Sequence, residues 1–67
     1  MKYIVVELQK NKEGILTPLV TEHDDLEAAE SKYYSVLAYA AVSELPVHSA
    51  VILSEEGFRH NSKCYKH

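Results

Sequence analysis

From Lys2 to Gln9 the chain alternates: Ile4, Val6 and Leu8 fall on one side, and Tyr3, Val5, Glu7 and Gln9 on the other. A period of two carried by β-branched residues predicts a strand. Lys10-Asn11-Lys12-Glu13-Gly14 is polar and ends in glycine, which predicts a hairpin loop. Ile15 to Val20 then forms the return strand, and Pro18, which has no amide hydrogen to donate, places it at a sheet edge. Asp24-Asp25-Leu26-Glu27 marks a helix start, with Asp24 as the cap and Glu27 reaching back to it. The acidic first turn suits the positive end of a helix dipole. No Gly or Pro follows until Pro46, which disfavours helical geometry at Leu45, so the helix is expected to run to about Ser43.

Val47 to Ser54 alternates again, with Val47, Ser49, Val51 and Leu53 on one face and His48, Ala50 and Ile52 on the other. Ser54-Glu55-Glu56-Gly57 is a turn, and Phe58 to about Tyr65 is a polar fourth strand. The order ββαββ predicts one α+β domain over residues 1–67, a four-stranded antiparallel sheet with one helix packed on one face. The expected core is Ile4, Val6, Leu8, Leu26, Tyr33, Leu37, Val51 and Leu53. A one-residue change of register would exchange the faces of Val51 and Leu53.

At about 100° per residue, Leu26, Ala29, Tyr33, Leu37 and Ala40 form one stripe, which should cover the sheet. The opposite side carries Ala28, Ser35, Ala38, Tyr39 and Val42 and is not polar either; no charge occurs from Tyr33 to Val42. Alanine-rich sequence raises helix propensity even on an exposed face, but propensity does not account for Tyr34, Tyr39 and Val42. A helix apolar all round is expected to be buried all round. A second copy of the chain is the simplest cover, so a homodimer or higher oligomer is expected, with Tyr34, Ala38, Tyr39 and Val42 at the interface.

Length supports that expectation. A chain of 67 residues buries a small core and gains from disulfide, metal or association. Cys64 is the only cysteine, so no internal disulfide forms. The N-terminal apolar run is cut by Glu7 and does not read as a signal peptide. No stretch approaches the roughly 18 apolar residues of a membrane span. These features predict a cytoplasmic chain without membrane contact. The net charge of −3 argues against DNA binding. The acids Glu22, Asp24, Asp25, Glu27 and Glu30 cluster, whereas Arg59, Lys63 and Lys66 follow the last acid, Glu56. Oppositely charged faces of this kind aid solubility; a basic tail strand also suits an anion.

The chemistry-bearing residues point away from catalysis. His60, Cys64 and His67 have metal-ligand types at short spacing, but His60 and Cys64 would share a strand face that His67 does not, and a structural zinc site takes four ligands. No metal or other cofactor is expected. No nucleophile elbow or phosphate-cradling glycine loop is present, so no enzymatic activity is expected. Five tyrosines offer large apolar bodies with polar tips. Tyrosine can stack on a base, and Arg or Lys can hold phosphate. A chain this small cannot enclose a ligand alone, so a ligand cavity is expected between protomers. The expected ligand-binding residues are Lys32, Tyr39, Ser43, His48, Arg59 and Lys63, of which Lys32, Tyr39 and Ser43 share one side of the helix.

Ala29-Glu30-Ser31-Lys32-Tyr33-Tyr34, followed by Ala40-Ala41-Val42-Ser43-Glu44-Leu45-Pro46-Val47-His48-Ser49-Ala50, resembles small uncharacterised proteins of phages, prophages and other mobile elements of Firmicutes and gut bacteria. With the N-terminal strand, the resemblance covers about two-thirds of the chain. It implies a genomic setting in which accessory proteins counter host defence. Together with the residues above, it leads to an expected role as a non-enzymatic, homo-oligomeric protein that sequesters an anionic nucleotide-derived signal. Two other roles fit the same sequence: a protein-binding inhibitor of a host defence factor, with the acidic block imitating nucleic acid, and a structural or regulatory subunit without a ligand.

Overall fold

The computed structural model describes all residues from Met1 to His67. The elements are β1 (Tyr3–Lys10), β2 (Leu16–His23), α1 (Leu26–Val42), β3 (Val47–Ser54) and β4 (Arg59–Lys66). They form one antiparallel sheet in the order β2-β1-β3-β4, with α1 packed across one face, as the ββαββ pattern predicts. No helix is long and apolar enough to cross a membrane.

Local chemistry sets the connections. The Asn11 side chain accepts from the amides of Glu13 at 3.0 Å and Ile15 at 2.9 Å, and Gly14 takes the positive φ of 84° that closes the β1–β2 turn. Pro18 lies on the edge strand β2, where its missing N–H costs the ladder nothing. β2 is longer than its apolar run implied, because Thr21 to His23 continue the ladder opposite Tyr3 to Val5. The helix cap is Asp25 rather than Asp24: the Asp25 carboxylate accepts from the Ala28 amide at 2.8 Å. Asp24 stays exposed. Ser43 closes the other end, its amide donating to Ala40 O at 3.4 Å.

The helix stripe packs as its period requires: Ala29, Tyr33, Val36, Leu37 and Ala40 are buried, and Leu26 packs against them. The sheet face beneath it is the opposite of the expected one. Val5, Ala50 and Ile52 are buried under α1, whereas Ile4, Val6, Leu8, Val51 and Leu53 are only half-buried and point to the other side. The alternation was right and the choice of covered face was not. Both faces of β1 and β3 are apolar enough to be covered. Ala29, Ala40 and Ala50 are 0–2% exposed, which marks where small side chains let the helix approach the sheet closely.

Candidate functional site

The covered face carries its polar residues at one end. On β1, Glu7 and Gln9 continue the row begun by Tyr3 and Val5; on β3, His48 lies opposite Gln9, and Ala50 opposite Glu7. The end of α1 comes down over this corner. There His48 joins three elements. Its Nε2 meets Glu7 Oε2 at 2.6 Å, and its Nδ1 meets Ser43 Oγ at 3.0 Å. Gln9 Nε2 also donates to Glu7 Oε2, at 2.8 Å. The His48 side chain is 5% exposed and that of Glu7 14%. A buried imidazole needs partners on both nitrogens, and strand alternation together with the helix end supplies them.

This arrangement fixes the charge of Glu7. Burial alone would push its carboxyl above the ordinary range. Hydrogen bonds from Gln9 and His48, with the positive fields of His48 and Lys32, outweigh burial and hold it below that range. With Glu7 ionised, His48 Nε2 donates to it, while the Ser43 hydroxyl, 3.0 Å from His48 Nδ1, also lies within donating distance of Ala40 O at 3.4 Å. Both intramolecular bonds to Glu7 use Oε2, which leaves Oε1 uncommitted.

Beside this chain runs an open groove of about 530 Å³, with Glu7, Gln9 and His48 along its sheet side and Lys32, Val36, Tyr39 and Ser43 along its helix side. Tyr39 is 72% exposed on the rim, and Val42 stands next to it at 80%. Four of the six expected ligand residues, Lys32, Tyr39, Ser43 and His48, therefore meet in one groove. The other two do not join them. Lys63 lies opposite Ala50 on the far edge strand, about 10 Å across the sheet from Glu7, with its ammonium 5.2 Å over the Tyr65 ring. Arg59 pairs with Leu53 on the other face of the sheet, five residues or about 17 Å along β3 from His48. The expected interface residues Tyr34, Ala38, Tyr39 and Val42 are all exposed on the free side of α1.

No family model, curated protein or solved structure matches this chain. The site is therefore read from its own geometry.

Glu7 and Gln9 are the groove residues on β1 that sequence reasoning missed. The available signal was Glu7 itself, the one acid in β1, set between apolar Val6 and Leu8. The His60–Cys64–His67 spacing does not converge. A bulge between Ile52 and Leu53 places Ile52 opposite Asn61 and Leu53 opposite Arg59, so that His60 is the extra residue and the expected shared face is broken. His60 stands against Tyr3, Cys64 is exposed opposite Ser49, and His67 Nε2 bonds Ala40 O at 2.8 Å.

Hydroxyl, imidazole and carboxylate stand here in the order of a nucleophilic triad. The Ser43 amide is committed to Ala40 O, however, and so is not free to stabilise an oxyanion beside that hydroxyl. What the groove offers directly is one cation, one exposed aromatic ring, a hydroxyl and an ionised acceptor.

Proposed function

We propose that the protein is a non-enzymatic, homo-oligomeric binder that captures a small anionic nucleotide-derived molecule in the groove between α1 and β1. The observation that carries this reading is the meeting of Lys32, Tyr39, Ser43 and His48, from two separate elements, along one groove. Each group has a matching partner in such a ligand. Lys32 faces the phosphate, the Tyr39 ring stacks on the base, and the uncommitted Glu7 oxygen accepts from a ribose hydroxyl. A base stacked on an aromatic ring contributes about 1–3 kcal/mol. A second copy of the chain, packed across Tyr34, Ala38, Tyr39 and Val42, covers the open side of the groove. In the mobile-element setting that the sequence resembles, sequestration of this kind counters a host defence signal.

Calorimetry against a panel of cyclic dinucleotides and ADP-ribose derivatives tests the reading. At least one member is expected to bind with Kd below about 10 μM, roughly −7 kcal/mol. Tyr39→Ala and Lys32→Ala should each weaken that binding at least fivefold. Absence of binding across the panel, with retention of a host protein in a pull-down, would replace it with the protein-inhibitor role. Covalent labelling of Ser43 by a fluorophosphonate would instead assign nucleophilic chemistry to the same groove.

A further inference from the structure

The second face of the sheet has no cover, and its side chains form an ordered grid. Cross-strand pairing sets four rows, each read from β2 through β1 and β3 to β4: Glu22, Ile4, Leu53, Arg59; then Val20, Val6, Val51, Ser62; then Pro18, Leu8, Ser49, Cys64; then Leu16, Lys10, Val47, Lys66. The two middle rows contain no charge, and every charged residue lies in an end row. At strand spacings of about 4.8 Å and two-residue steps of about 6.6 Å, the grid covers roughly 500 Å² in plan. Two such faces packed together would bury on the order of 1,000 Å² in total, the lower limit of a specific interface. The uncharged middle of the grid, about half of that plan area, comes close to the roughly 300–600 Å² apolar patch that is often functional on a monomer. The covered face compensates little, since only 9 of 67 residues are buried in the single chain.

We propose that this face packs against the same face of a second copy, about a two-fold axis that runs along the strands. The charges choose the axis. Rotation about the strand direction keeps each row and reverses the strand order, so Glu22, which also holds Lys2 at 2.6 Å within its own chain, meets the second copy's Arg59, and Lys10 and Lys66 meet the apolar Val47 and Leu16. Rotation about the perpendicular axis would instead set Arg59 against Lys66. The chosen axis also brings Pro18 over a shallow depression of about 370 Å³ lined by Leu8, Ser49, Val51 and Cys64. Aligned face-to-face packing of this kind is the ordinary geometry of two stacked sheets. The inference does not rest on the proposed ligand role, and its surface lies on the opposite side of the sheet from the groove.

Sedimentation equilibrium on the Val42→Glu protein tests it, because a charge on the free side of α1 removes association through the helix. This protein should remain dimeric at about 100 μM. Adding Arg59→Glu sets two acids against each other twice per dimer and should weaken dimerisation about tenfold. Adding Glu22→Arg as well should restore it to within about threefold. Adding Val51→Glu instead, in the centre of the grid, should give a folded monomer. A Val42→Glu protein that is already monomeric overturns the proposal. So does a charge exchange that fails to restore association; both residues are exposed, so that arm does not depend on the fold surviving a buried charge.

Discussion

Replacing His48 with alanine tests whether the Glu7–His48–Ser43 chain holds the end of α1 to the sheet. The substitution removes a hydrogen bond to a carboxylate, a contribution of about 1.5–3 kcal/mol, and a neutral one to Ser43, about 1 kcal/mol. Glu7 keeps Gln9 and the field of Lys32, so its carboxylate is not wholly abandoned. The net loss should be about 3 kcal/mol. A domain of this length holds on the order of 3–10 kcal/mol in total, so His48→Ala should sit near the edge of folding. Urea unfolding followed by circular dichroism at pH 7, at one fixed protein concentration because association contributes to apparent stability, measures the loss. Glu7→Gln supplies the second arm of a double-mutant cycle, and the double variant should lose at least about 1 kcal/mol less than the sum of the two single losses. A His48→Ala loss below about 1 kcal/mol, or additivity within about 0.3 kcal/mol, would refute the clamp.

Two further predictions follow from the same geometry. The folded-state pKa of Glu7 lies below its unfolded value of about 4.5, so its contribution to stability is complete above that pH and is lost as pH falls from there through the folded pKa. Acid unfolding of wild type should therefore steepen below about pH 4.5, and Glu7→Gln should flatten that limb; parallel acid limbs would show that Glu7 does not supply the linkage. At the helix start, Asp25→Ala should cost about 1 kcal/mol in thermal or urea unfolding and Asp24→Ala close to nothing, and equal losses would contradict the assignment of the cap.

Much of the fold was legible because local signals agreed with one another. Alternation gave β3 its observed limits, Pro18 marked the edge strand, and the 3.6-residue period identified the helix stripe. The covered face of the sheet was not legible. Ile4, Val6 and Leu8 make a more apolar row than Val5 and Glu7, and counting apolar residues selects the wrong side. What decides it is complementarity across distant segments: Ala50 admits the helix, and Glu7 and His48 find Ser43 at its end. The site divides in the same way. Lys32, Tyr39 and Ser43 follow from helical spacing alone, and His48 joins them because β3 begins just after the helix. The positions of Arg59 and Lys63 depend on the register of β4, and nothing local in its polar sequence announces the bulge at His60. Glu7 could have been found as the one acid in β1.

The most direct measurement of the central claim is an amide chemical-shift titration of the labelled protein with ADP-ribose and with cyclic dinucleotides. Binding in the groove should move the resonances of Glu7, Lys32, Tyr39, Ser43 and His48 together, with one saturation curve, and leave those of Arg59 and Ser62 unchanged. Saturable shifts centred on β4, or none in the groove at millimolar ligand, would contradict it.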